Sequence, residues 1–104
     1  MNRTIALLVA AAAVAWYAAP ADAADAQAGK RKAAACMTCH GVNGISTDAS
    51  VPNLRGQKDA YLVKSLKDFR DGKRKSPIMN SLAAGLGDAD IADIAAFFSG
   101  LPQR

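Results

Sequence analysis

Two thiols and an imidazole lie within five residues of one another, in the segment Cys36-Met37-Thr38-Cys39-His40. A Cys-x-x-Cys pair followed at once by His is the spacing used for covalent attachment of haem. Each thiol adds across one vinyl group of the macrocycle to form a thioether, and the next residue places a ring nitrogen under the iron as its fifth ligand. The motif therefore predicts one haem c, bound through Cys36 and Cys39 and ligated by His40.

Zinc sites and thioredoxin-like redox centres also use a Cys-x-x-Cys pair. A structural zinc ion needs four ligands, and the only Cys and His residues of the chain are Cys36, Cys39 and His40, so a carboxylate would have to complete the set. A thioredoxin-like motif follows a strand, yet the residues before Cys36 neither alternate nor are rich in β-branched types. Both uses are therefore disfavoured against haem attachment.

The N-terminal segment has the layout of a secretory signal peptide. Met1-Asn2-Arg3 is a short basic start, residues 4–19 form an apolar run, and Ala21-Asp22-Ala23 is a small-x-small cleavage site. The apolar run is shorter than the roughly 18 residues that indicate a membrane span. We therefore predict that residues 1–23 are a signal peptide, cleaved after Ala23, and that the protein is periplasmic.

Removal of the signal peptide leaves one small domain, residues 24–104. A domain of this size buries only a modest core, and many such domains depend on a metal or a large cofactor for stability. Haem would meet that need. The alternative for the N-terminal segment is its retention as a membrane anchor, with Trp16 and Tyr17 at the interface.

The chain is basic, with 13 Lys and Arg residues against 9 acidic ones and a net charge of +4. Two runs concentrate the positive charge, Lys30-Arg31-Lys32 and Lys73-Arg74-Lys75. An exported protein has no obvious nucleic acid to bind, so the runs predict either a solvated face or a docking surface for an acidic redox partner. We expect a monomer that meets membrane complexes only by transient docking.

Helical periodicity dominates the domain, and no segment alternates as a strand would. The first predicted helix covers residues 25–36 and runs straight into the cysteine motif, and a loop over residues 41–57 follows. A second helix has Asp59 as its N-cap and ends at Gly72, and a third begins after Leu86-Gly87. The pattern predicts an all-α fold with long loops around the haem.

The sixth iron ligand is predicted by elimination. His40 is the only histidine, Met1 leaves with the signal peptide, and Met37 lies between the two thioether cysteines. Met79 remains, in the loop predicted between the second and third helices, where the chain can cross to the opposite face of the haem. A core methionine, an open coordination position and a lysine ligand are the alternatives that the residues leave open.

Motifs spread over the domain resemble those of class I c-type cytochromes. They are Gly29 seven residues before the cysteine motif, Pro52-Asn53-Leu54-x-Gly56-Gln57, Tyr61-Leu62, Phe69-Arg70-x-Gly72, Met79, and the segment from Leu86 to Phe98. The chain is most similar to the small bacterial periplasmic type, including cytochrome c-553 and either half of the di-haem cytochromes. The resemblance implies the class I cytochrome c fold, with three main helices and short turns wrapped around one covalently bound haem.

The resemblance also implies roles for particular residues. The protein would be an electron carrier and not an enzyme, with His40 and Met79 as the axial ligands. The carbonyl of Pro52 would accept the proton on the other ring nitrogen of His40. Gly29 would mark the crossing of the first and last helices, against Phe97-Phe98. The alternative functions are a haem subunit of a larger oxidoreductase and a haem enzyme or gas sensor with an open distal site.

Overall fold

The computed structural model describes residues 23–103, so the predicted signal peptide lies, except for Ala23, outside the described residues. This part of the chain is helical and contains no strand, as predicted. Its α-helices are α1 (Ala26–Lys32), α2 (Ala34–His40), α3 (Asp59–Arg70), α4 (Pro77–Ala83) and α5 (Asp88–Ser99). Within residues 23–103, no helix has the length and apolar character needed to cross a membrane.

The first predicted helix is present but is broken in two at Ala33. Asp25 caps α1, because its carboxylate accepts hydrogen bonds from the backbone N–H groups of Gln27 and Ala28 at 2.9 and 3.2 Å. Ala33 is fully buried, with φ −81° and ψ 0°, a bridge-region conformation that ends α1. The new helix, α2, then carries the whole cysteine motif to His40. An alanine-rich sequence gives no sign of such a break.

The loop predicted after the motif is confirmed, with one 3-10 turn at Val42–Gly44. Gly41 ends α2 with a φ of +85°, and a Cβ there would lie 1.7 Å from the carbonyl oxygen of Ile45. Glycine is therefore required directly after the histidine. The loop closes on itself where the N–H of Leu54 donates to the carbonyl of Gly44 at 2.9 Å.

The start of α3 differs from the prediction. Lys58 is the N-cap and Asp59 is the first helical residue, so the prediction of Asp59 as the cap is wrong. A carboxylate in the first turn still stabilises the helix through its dipole. The other end is as predicted, because Asp71 caps the helix and Gly72 follows with a φ of +76°.

A short helix, α4, replaces the loop predicted around Met79. Pro77 is its first residue, a position at which the missing N–H of proline costs nothing. Ser76 before it is extended, with φ −159° and ψ 112°, as residues preceding proline usually are. The loop prediction is wrong because seven residues are too few to show helical periodicity.

The first and last helices, α1 and α5, cross at Gly29. A Cβ on Gly29 would lie 1.9 Å from the carbonyl oxygen of Asp93 and 3.0 Å from the backbone nitrogen of Ile94. The backbones of the two helices are thus in contact. The predicted packing of Gly29 against Phe97-Phe98 is wrong by about one turn, since it is Ala33 that shares a buried cluster with those rings.

An ion-pair network surrounds the same crossing. The Lys32 ammonium lies 2.9 Å from Asp90 and 2.7 Å from Asp93, and the N–H of Asp25 donates to the second carboxylate at 2.8 Å. The hydrogen bonds from Asp25 and Lys32 lower the pKa of Asp93. The buried core cluster beside the network consists of Ala33, Leu62, Ile94, Ala95, Phe97 and Phe98.

Candidate haem site

One cavity of about 510 Å³ brings together the four predicted site residues, Cys36, Cys39, His40 and Met79. Its volume lies in the range of small-molecule and cofactor sites. The wall combines residues of all five helices, of the loop after α2 and of the turn after α3, and is largely apolar. Its apolar members include Leu54, Leu62, Leu66, Leu86, Ile94 and Phe98.

His40 is the buried polar residue of this cavity, with 8% of its surface exposed. Its Nδ1 lies 2.7 Å from the carbonyl oxygen of Pro52. Because a carbonyl can only accept, Nδ1 carries the proton and donates, and Nε2 keeps its lone pair. Such a bond fixes the tautomer and orientation of a metal-ligating histidine and raises its basicity. The bond between His40 and Pro52, which the family resemblance implied, is confirmed.

The two thiols fit thioether attachment better than the other uses of the motif. Cys36 is partly buried and Cys39 is exposed, and both are free and line the cavity. Burial raises the pKa of the Cys36 thiol, whereas a redox-active Cys-x-x-Cys motif needs a lowered one. Within residues 23–103, no group of three or more His, Cys, Asp or Glu side chains is arranged to hold a metal ion. Neither a thioredoxin-like centre nor a zinc site matches this arrangement.

Met79 reaches the cavity from α4, an element separate from the one that carries His40. The other methionine of the described residues, Met37, packs against the buried core cluster and does not line the cavity. Ile78 and Leu82, also on α4, line the cavity with 66% and 44% of their surface exposed. Large exposed apolar side chains around a concave wall are the surface that a flat apolar macrocycle would cover.

Basic side chains line the cavity, and no acidic residue of the described chain does. They are Lys32, Arg74 and Lys75, so the second basic run reaches the cavity. The Arg74 guanidinium lies 4.6 Å from the centre of the Phe69 ring. The Arg74 guanidinium also lowers the pKa of the nearby Tyr61 hydroxyl.

Sequence reasoning missed Asn80, the residue after Met79. Its side chain makes three hydrogen bonds, to the backbone of Phe69, Arg74 and Ser76. The only signal was the residue type, since asparagine is neutral to unfavourable inside helices and favours bonds to nearby backbone groups.

An all-α domain that gathers paired thiols, an oriented histidine and a methionine around one apolar cavity defines a class of proteins with covalently attached haem. A comparison with protein families supports this class, because the family model for cytochrome c matches residues 26–102. The chain therefore belongs to the cytochrome c family, and its cofactor is haem c.

The individual relatives with similar sequences and structures are bacterial c-type cytochromes. Cytochrome c4 of Pseudomonas aeruginosa is 48% identical over 77 residues, which are 74% of this chain and 38% of that protein. Cytochrome c-554(548) of Halomonas halodenitrificans is 48% identical over 80 residues, which are 74% of this chain and 96% of that protein. A crystal structure of reduced recombinant cytochrome c4 from Pseudomonas stutzeri is similar, with a TM-score of 0.67 and 35% identity, over 74% of this chain and 48% of that one.

The two relatives compared by sequence differ in how much of their own length the chain matches. The chain spans 38% of the cytochrome c4 and nearly the whole of the cytochrome c-554(548). The predicted class I fold and the resemblance to one half of the di-haem cytochromes are confirmed.

Proposed function

We propose that the protein is a one-electron carrier in which Cys36 and Cys39 hold the haem and His40 and Met79 ligate its iron. The main observation in support is the 2.7 Å hydrogen bond from His40 Nδ1 to the carbonyl of Pro52, inside the cavity that both thiols and Met79 also line. When bound, the haem supplies an iron that cycles between the ferric and ferrous states. The bond to Pro52 leaves the lone pair of His40 Nε2 free for ligation.

The chain's own residues would favour the reduced state and limit reorganisation. The neutral thioether of Met79 stabilises the ferrous form and raises the reduction potential. With haem bound, the largely apolar wall of the cavity would limit the access of water to the site. With His40 and Met79 as ligands in both oxidation states, little would have to move when the electron is transferred.

Electron transfer fits these residues better than haem catalysis or gas sensing. A peroxidase-like site needs an open distal position with an acid or base beside it. His40 is the only histidine of the chain and faces Pro52. Apart from the two thiols and the Tyr61 hydroxyl, the other ionisable side chains that line the cavity are the cations Lys32, Arg74 and Lys75.

We further propose that residues 1–23 are a cleaved signal peptide and that residues 24–104 work in the periplasm. The support is the order of basic start, apolar run and small-x-small site in the sequence. The first candidate is a free carrier, and its support is that the chain matches 96% of the length of cytochrome c-554(548). The second candidate is a haem subunit of a larger oxidoreductase, and the match to 38% of cytochrome c4 shows that a domain of this kind also occurs within a longer protein.

Attachment and export are tested together by expressing the full chain with a haem-ligation system. We expect periplasmic protein that lacks residues 1–23 and is heavier than the mature chain by one haem. Intact-mass spectrometry and a pyridine haemochrome assay give the haem type and stoichiometry. An apo chain with two free thiols would overturn the proposal.

The basic run Lys73-Arg74-Lys75 would steer the carrier to an acidic redox partner. Arg74 and Lys75 line the cavity that holds Met79, so their charge lies where electrons would leave. Charge at such an edge raises the encounter rate, and salt weakens the effect because the Debye length is about 10 Å at 0.1 M. Interfaces between redox proteins are small and transient. The basic residues should therefore affect the association rate more than the residence time of the complex.

The test compares electron-transfer rates across ionic strength for the wild type and a variant with all three residues changed to glutamine. We expect slower transfer at low salt and a weaker salt dependence. A matched variant changes Lys30, Arg31 and Lys32 to glutamine. If only that variant slows transfer, docking uses the first basic run.

A further inference from the structure

Asn80 makes three hydrogen bonds to separate parts of the chain. Its side-chain oxygen accepts from the backbone N–H of Ser76 at 2.8 Å. Its side-chain nitrogen donates to the carbonyl oxygens of Phe69 and Arg74, both at 2.8 Å. Since two partners accept and one donates, only one orientation of the amide satisfies all three. The side chain thus uses both of its N–H groups.

These bonds fasten the beginning of α4, where the N-cap residue makes no side-chain hydrogen bond. A helix of seven residues is too short to be stable by itself, and the side chain of Ser76 gives it no cap hydrogen bond. Phe69 lies in the last turn of α3, where carbonyls have no partner within the helix. Asn80 therefore ties the beginning of α4 to the end of α3 across the intervening turn.

The neighbouring polar contacts do not duplicate this tie. Arg70, at the end of α3, donates to the carbonyl of Leu86 at 3.3 Å and to the carboxylate of Asp88 at 2.7 Å, so it fixes α5 and not α4. Within residues 23–103, the side-chain hydrogen bonds that join α4 to α3 and to the turn after it come from Asn80.

We propose that Asn80 is a positioning residue that keeps the thioether of Met79 directed at the cavity by fixing α4 against α3. This inference rests on the proposed function, in which Met79 is the distal ligand. A ligating side chain holds its geometry only when the residues around it lock its position. With α4 released, Met79 would compete less well with an added ligand.

The experiment measures imidazole binding by the oxidised holoprotein, together with the weak far-red sulfur-to-iron band and the reduction potential. Asn80→Ala removes all three bonds. Asn80→Asp keeps the acceptor for Ser76 but loses both donors. Ser81→Ala is the matched control, because Ser81 is an exposed neighbour on α4 that does not line the cavity.

We expect both Asn80 variants to bind imidazole about tenfold more tightly than the wild type, which corresponds to about 1.4 kcal/mol of lost hydrogen bonding. The far-red band should weaken, and Ser81→Ala should match the wild type. In a Met79→Ala background Asn80→Ala should have no further effect, since a residue that acts through Met79 has nothing left to position.

The inference is overturned if Asn80→Ala matches the wild type, or if its effect on imidazole binding is undiminished in the Met79→Ala background. Should Asn80→Ala fail to fold, Asn80→Asp alone and combined with Met79→Ala provides the same comparison. Failure of the proposed function looks different, because Met79→Ala would then change neither the band nor imidazole binding. That result would overturn the inference as well.

Discussion

The cavity has a histidine side, formed by α2 and the loop over residues 41–57, and a methionine side, formed by α4. The two sides are built differently. On the histidine side the main chain supplies both the bond from Leu54 to Gly44 and the carbonyl of Pro52 that faces His40, and side chains such as that of Asn53 add further bonds. On the methionine side a seven-residue helix is fastened by the side chain of Asn80. A main-chain scaffold persists through most substitutions, whereas a side-chain clamp is lost with one. The histidine side should therefore be the more robust of the two.

The largest expected effect is that of Cys36→Ala combined with Cys39→Ala, which would remove the attachment that the histidine side provides. We expect no haem-loaded protein and a poorly folded or degraded chain, because the apolar wall of the cavity would face water. Haem staining of denatured protein and far-UV circular dichroism measure both outcomes. A native circular dichroism spectrum, together with one haem retained after denaturation, would contradict this expectation.

The next largest effect should come from Met79→Ala, which tests the methionine side directly. The far-red band should disappear, cyanide or CO should bind, and the potential should fall by on the order of 0.1 V, within the roughly 0.8 V range that axial ligation covers. Met37→Leu is the control, since Met37 packs against the core and the exchange conserves volume. If Met79→Ala keeps the band and the potential, Met79 is a core residue.

A change at Gly29 affects the framework that supports both sides. Gly29→Ala should lower the free energy of unfolding by about 1–3 kcal/mol, because its Cβ would collide with the carbonyl of Asp93. Gly85→Ala is the control, since a Cβ there has no neighbour within 4 Å. Urea titration of the holoprotein compares the two. Equal stabilities would show that the helices can separate at no cost.

The smallest effect should be that of Pro52→Ala, which keeps the carbonyl but loosens the backbone that holds it. A weaker bond to His40 Nδ1 makes the imidazole less basic, so the potential should rise slightly, opposite in sign to the effect of Met79→Ala. An equilibrium redox titration measures this difference. A fall as large as that of Met79→Ala would show that the change disturbs the methionine side.

The same contrast explains what the sequence could predict. The cysteine motif and His40 are contiguous, and the resemblance supplied Pro52, so the histidine side was predicted down to one hydrogen bond. The helix that bears Met79 was predicted as a loop, although Pro77 at its start was a usable signal. Asn80 was missed because its partners become neighbours only after the chain has turned between α3 and α4.

The helix crossing shows a second limit of sequence reasoning. A glycine near the cysteine motif indicated a close approach of two helices, and the structure contains one. Its partner is the backbone at Asp93 and Ile94, not Phe97-Phe98, because side-chain size alone does not fix the turn at which two helices meet. The break at Ala33 was hidden for a related reason, since alanine is equally suited to one helix or two.

The contact between α1 and α5 also restricts when this domain can fold. Ile94, Ala95, Phe97 and Phe98 are four of the six members of the buried core cluster, and all lie on α5. The bond from Asp25 to Asp93 joins residues 68 positions apart, and contacts so distant in sequence form slowly. Because α5 supplies most of the core, a chain in which α5 has not yet joined α1 has no closed core. We therefore expect the Cys36 thiol, which is partly buried in the folded chain, to be most accessible for haem attachment before α5 joins α1.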